Sequence, residues 1–166
     1  VNPFRKKSLY FLRKNALCLH GREHMCFLLR SAALCCGIPL CGGSGGAHAD
    51  VEPLTAADTA AMCKIYKVKT AQEISDKNLY QRHPVLVTIG DNSYAASMYG
   101  VPHNYPAGDT IPDNDFYGQF CIHFVNSKTH GSGIVDVGNS KNGWYGHQDA
   151  IMDAYRNAAK KLNIKN

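Results

Sequence analysis

The sequence holds no run of 18 consecutive apolar residues, and so offers no simple helical membrane span. It has no His-Glu-x-x-His, no Cys-x-x-Cys pair and no glycine-rich loop ending in Gly-Lys. The common zinc and phosphate-cradle motifs are therefore missing. Cysteine is scarce where a fold would use it. Five of the seven lie between Cys18 and Cys41, and only Cys63 and Cys121 follow. An odd number cannot pair completely, and a disulfide framework needs cysteines spread through the folded part. Excess positive charge is also absent from most of the chain. The first 30 residues carry seven Lys or Arg against Glu23 alone, whereas the rest carries 11 basic and 12 acidic side chains. A basic groove that tracks phosphates is not supported, so no nucleic-acid partner is expected.

What is present divides the chain in two. Residues 1–47 combine basic residues, a Cys- and Leu-rich stretch and a Gly-Gly-Ser-Gly-Gly run. They read as a leader: a signal-like segment with Ala32–Leu40 as its apolar part and Ala47-His48-Ala49 as a small-residue site, a truncated upstream segment, or an artefact at a fragment's edge. Residues 48–166 read as one catalytic-like domain. Thr55, with Asp58 three residues on, gives a capping-box signature for a helix running to about Tyr66. Residues 67–83 read as a loop. The β-branched run 84–89, the Gly90-Asp91-Asn92 turn and residues 94–98 read as a hairpin. Residues 99–118, rich in Gly, Pro, Asn and Asp, read as a long loop. Strand character returns over 119–125, and residues 146–162 carry apolar residues at helical spacing. The expected fold is α+β, a small mainly antiparallel sheet with a helix near the start and a C-terminal helix.

Six of the eight histidines fall in this body: His48, His83, His103, His123, His130 and His147. The densest chemistry is in residues 118–127. On a strand, Gln119, Cys121 and His123 share one face, and Phe120, Ile122 and Phe124 the other. The apolar set reads as the core face, which leaves Cys121 between a Gln and a His. A reactive thiol needs a nearby base or positive charge, whereas a structural one prefers apolar company, and the pattern alone allows both.

His103 lies eighteen residues before Cys121. Here the chain resembles the L,D-transpeptidase catalytic domain of bacterial peptidoglycan metabolism. That family carries a His and, a little under twenty residues later, Ser-His/Lys-Gly-Cys-Ile/Val-Arg/Asn. This chain offers His103-Asn104, the gap, then Gly118 to His123, with Asn126 following. It departs at Gly118, Gln119, Phe120 and His123, where the family has Ser or Thr, His or Lys, Gly, and Arg or Asn. The chain also resembles, over about 48–158, a group of bacterial cell-envelope proteins. Their pattern runs His-Ala-Asp-Val-Glu-Pro, Pro-His-Gly, Gly-His-Phe-Cys-Ile-His-Phe, Ser-x-Thr-His-Gly and Asp-x-x-His-Gln. It is matched at His48 to Pro53, Pro102-His103, Phe120 to Phe124, Ser127 to Gly131 and His147-Gln148. The two resemblances imply a secreted or cell-envelope location.

The transpeptidase resemblance implies acyl transfer on peptidoglycan stem peptides, with Cys121 as nucleophile, His103 as its base and His123 assisting. Gln119, Phe120, Ser127, His130 and Asn104 are the expected substrate contacts, and main-chain N–H groups near Phe120 and Cys121 the expected oxyanion donors. No cofactor is expected on this reading. One alternative is a zinc-dependent peptidoglycan peptidase with ligands from His48, Asp50, His103, His123 and His130, and Glu52 or Asp50 as its base. Another is a non-catalytic module that binds the cell wall.

Overall fold

A computed structural model describes residues 12–13, 26–28, 48–89, 92–129 and 132–162. Most of the expected leader and His130 lie outside the described residues. The elements in chain order are β1 (Leu12–Arg13), β2 (Cys26–Leu28), β3 (Ala49–Val51), α1 (Ala56–Tyr66), α2 (Gln72–Asp76), β4 (His83–Ile89), β5 (Asn92–His103), β6 (Gln119–His123) and α3 (His147–Lys161). They give the α+β architecture expected from the sequence. The strands form one sheet in the order β2-β4-β5-β6-β3, with β1 also pairing with β5. All neighbours are antiparallel except β2 and β4.

The sheet separates two helical layers. Val85, Val87, Ala96, Met98, Phe120 and Ile122 point to one face and join Met62, Cys63 and Tyr66 of α1 and Ile74 of α2 in the main core. Pro84 and Leu86 point the other way and meet Ala154 and Ala158 of α3. The ends of α1 follow from local chemistry. Thr55 Oγ1 accepts the Asp58 N–H and Asp58 Oδ2 accepts the Thr55 N–H, the reciprocal bond that satisfies two orphan donors. Lys67 closes the helix in the left-handed region, at φ 57°. Gly146 opens α3, its N–H donating to Asp149 Oδ2.

Three elements differ from the sequence expectation. Within the stretch read as a loop over 67–83, α2 forms because Ile74 buries completely. One turn with a single buried residue leaves no periodic signal. The β5 strand runs through Gly100 and Pro102 to His103, five residues beyond the hairpin arm read from the sequence. Its register slips on the way. Tyr99 faces Cys121, but the next pair is His103 with Gln119, so β5 carries two extra residues in a bulge. The third is β3, only three residues long, at the far edge of the sheet.

Candidate functional site

The bulge builds the site. At its centre the Gly100 N–H donates to the Tyr66 hydroxyl at 2.8 Å, so leaving the ladder strands no donor. A side chain at Gly100 would meet the Tyr66 ring at 2.8 Å, so the bulge is seated directly on α1. Beyond it, β5 carries His103 onto the face opposite the core. Gly118 lets the returning chain pass close behind. Its φ is +105°, and a Cβ there would lie 2.2 Å from the His103 carbonyl oxygen.

On that face three strands, β3, β6 and β5, present residues side by side. Asp50 pairs with Cys121, and Cys121 with Tyr99 on its other side. Cys121 Sγ lies 3.6 Å from His103 Nε2 and 3.5 Å from Asp50 Oδ1. Asp50 Oδ1 is 3.4 Å from His103 Nε2 and 3.2 Å from His48 Nε2. Each of these imidazoles is held from behind. His103 Nδ1 is 3.0 Å from the Val101 carbonyl and His48 Nδ1 is 2.9 Å from the Lys128 carbonyl, so each Nδ1–H donates to main chain and each Nε2 faces the cluster. Asp50 and His103 keep about a third of their side-chain surface exposed, whereas the His48 side chain and Cys121 are buried.

His123 extends the cluster as a column of rings. It stacks on His48 with centroids 4.5 Å apart and on His147 at 3.6 Å. His147 Nδ1 in turn lies 2.8 Å from the buried Ser97 hydroxyl. Electrostatics give the groups opposite tendencies. Burial, then the Asp50 carboxylate, pushes the Cys121 thiol far above its ordinary value. The hydrogen bond to Asp50 raises His103 against the effect of burial. Burial works against the charged form of His48, yet Asp50 and the Lys128 carbonyl outweigh it and the pKa rises. His147 is pushed down to about 4, by burial first and the Arg82 charge second, against the attraction of Asp136.

Of the residues singled out from the sequence, Cys121, His103 and His123 share one face, joined by His48 and Asp50. Gln119 and Asn104 stand at its rim, where Asn104 Nδ2 donates to Gln119 Oε1 at 3.2 Å. Phe120 lies in the core on the opposite side, 2% exposed, so its side chain meets no ligand at this face. The Ser127 hydroxyl accepts the Phe124 N–H in a turn. Strand β6 pairs with β3 over Phe120 to Ile122 and with β5 at Cys121 and Ile122, while Phe120 lies opposite the bulge of β5. Glu52 is a loop anchor, accepting from Thr110, Ile111 and Asn114. Sequence reasoning missed the Val101 carbonyl behind His103 and the Tyr99 ring beside Cys121. Nothing in residue type marks the first, and the second follows only from register.

Among the described residues no helix is long and apolar enough to cross a membrane. Comparison with family models, curated proteins and solved structures gave no match for this chain.

Proposed function

We propose that the chain is a cysteine acyl-transfer enzyme of the L,D-transpeptidase kind, acting on peptides of the bacterial cell envelope. The observation that carries this reading is the approach of Cys121 Sγ to His103 Nε2, 3.6 Å across a separation of eighteen residues. Hydrogen bonding of His103 Nδ1 to the Val101 carbonyl supports it, because it fixes the tautomer with a basic Nε2 toward the thiol. The substrate class rests on the sequence resemblance.

The chemistry on this reading is a two-step transfer. His103 Nε2 takes the thiol proton as Cys121 Sγ bonds to the peptide carbonyl carbon. Collapse breaks the C–N bond, and the leaving amine takes the proton from the imidazolium. The resulting thioester passes its acyl group to an acceptor amine, which makes a cross-link, or to water, which trims the peptide. A buried thiol held in its neutral form suits general-base activation at the moment of attack rather than a resting thiolate. The Gln119 amide, with its oxygen engaged by Asn104, offers its N–H₂ to the oxyanion.

Incubation of the full chain with peptidoglycan-derived tetrapeptides, followed by mass spectrometry, tests this. Wild type should release the terminal D-amino acid and carry a transient acyl adduct on Cys121. Cys121→Ser should abolish turnover, and His103→Gln should lower kcat by about 10²–10⁴-fold with circular dichroism unchanged. Turnover that survives Cys121→Ser refutes the assignment of the nucleophile.

A further inference from the structure

The same face carries a second arrangement that a nucleophile and its base do not require. Three atoms of metal-ligand type converge: Asp50 Oδ1, His103 Nε2 and Cys121 Sγ. Their separations are 3.4 Å between nitrogen and oxygen, 3.5 Å between oxygen and sulfur, and 3.6 Å between nitrogen and sulfur. The nitrogen–oxygen separation is long for a charge-assisted hydrogen bond, which closes to about 2.7–2.9 Å. All three fit edges of a coordination tetrahedron. Zinc-to-ligand bonds of about 2.0–2.2 Å for N and O and about 2.3 Å for S give edges of about 3.4 Å and about 3.6 Å. Asp50 Oδ1, His103 Nε2 and Cys121 Sγ thus make a nearly equilateral face, and His48 Nε2, 3.2 Å from Asp50 Oδ1, backs its carboxylate corner.

The surroundings fit as well. A histidine that binds metal through one nitrogen characteristically donates the other N–H to a carbonyl or carboxylate, which sets tautomer and ring orientation. His103 does so, to Val101. Soft sulfur beside an imidazole and a carboxylate selects a thiophilic cation over magnesium or calcium. The three side chains come from three strands, placed by the bulge after Tyr99 and the register of β3 on β6. His123 stacks on His48 and lies within reach of the same sulfur.

We propose that Asp50, His103 and Cys121 form a three-ligand site for one divalent cation of the zinc class, with water in the fourth position of the tetrahedron. Binding displaces the thiol proton to solvent and forms a metal–thiolate bond, so metal uptake is coupled to loss of the free nucleophile. The site stands on geometry alone. Its consequence, that the ion silences acyl transfer, rests on the function proposed above.

Cobalt(II) titration of the full chain tests the site, because cobalt takes zinc positions and reports thiolate ligation by colour. The expected result is a near-ultraviolet sulfur-to-cobalt band together with intense visible bands of tetrahedral cobalt, bleached by one equivalent of zinc. Other cysteines are present, so the reading is the difference between wild type and Cys121→Ser, which should lose the Cys121 contribution. Identical spectra for those two proteins overturn the site. A second measurement needs no variant. Zinc should slow iodoacetamide labelling of the Cys121 peptide at least tenfold, and an unchanged labelling rate overturns the site. Asp50→Asn tests the ligand set apart from turnover. It should raise the zinc needed to slow Cys121 labelling at least tenfold, and an unchanged zinc requirement overturns the site. Metal uptake without any turnover refutes the enzyme reading and leaves the site standing, whereas turnover without metal uptake does the reverse.

Discussion

At the scale of single residues, the site depends on positions that carry no chemistry of their own. Gly118 is the clearest. Its φ of +105° lies where a side chain is strained, and an added Cβ would sit 2.2 Å from the His103 carbonyl. Backbone must move to admit it, and the backbone in question belongs to His103, whose imidazole approaches Cys121 Sγ. Gly118→Ala should therefore cost about 2–4 kcal/mol, above the usual penalty of about 1–3 kcal/mol for an unfavourable backbone region alone, because a clash adds to strain. A shift of the urea midpoint to lower concentration at unchanged slope would report it. An unshifted midpoint would mean that the close approach of the two chains is not maintained in solution. The sequence marks only a Gly at position 118, and the structure gives its reason in the passage behind His103.

At the scale of elements, the stretch from 104 to 118 joins the two strands that carry His103 and Cys121, and one carboxylate holds it. Glu52, 9% exposed, accepts the Thr110 and Ile111 N–H groups at 3.0 Å and 3.1 Å, the Thr110 hydroxyl, and the Asn114 amide at 3.5 Å. Asn114 in turn donates to the Pro53 carbonyl and accepts the Phe116 N–H, so the hold passes on to Phe116 in the core. Hydrogen bonds to a charged acceptor contribute about 1.5–3 kcal/mol each, less than additively in a shared network. Glu52→Gln should cost about 2–4 kcal/mol and raise amide exchange at Thr110 and Ile111 at least tenfold, with α3 amides unaffected below global unfolding. Equal loosening of α3 would refute a local role. The same elements show what is legible in a sequence. The capping box at Thr55, the hairpin, the alternation across Gln119 to His123 and the long amphipathic α3 all announce themselves, because each encodes its own period or end signal. The pairing of Asp50 with Cys121 does not. It arises from a three-residue strand and from register, and neither leaves a period in sequence. The bulge that turns His103 inward is hidden in a stretch whose Gly100 and Pro102 read as loop punctuation. The site residues were thus recoverable by type, as an unusual density of His around one Cys, but their contacts were set by tertiary geometry.

At the scale of the whole molecule, the site face and the α3 layer meet at one buried junction, and its protonation ties stability to acidity. Asp136 Oδ2 accepts from Arg82 Nε at 2.8 Å and from the His147 main-chain N–H at 3.0 Å, and Oδ1 accepts from Trp144 Nε1 at 2.9 Å. This fixes the start of α3 and presses the His147 ring onto His123. His147 is 4% exposed, and its pKa falls from 6.5 to about 4 through burial and the Arg82 charge. The folded state therefore resists a proton that the unfolded chain takes up readily. Above the unfolded value of 6.5 the ring is neutral in both states and costs nothing. As pH falls below it, the unfolded state gains the proton first, and stability drops by up to about 1.4 kcal/mol per unit until the folded ring protonates as well. His48 and His103, whose values are raised by Asp50, act with the opposite sign, and Asp136, whose value is lowered by its three donors, adds to the acid loss further down. The effect of His147 must therefore be read as a difference between proteins. The margin by which wild type exceeds His147→Gln in urea unfolding should shrink by about 2 kcal/mol between pH 7.5 and pH 4.5. A margin that stays constant across that range would show the ring to be as accessible to protons in the folded protein as in the unfolded chain, and the stacked column beneath the site to be open to solvent.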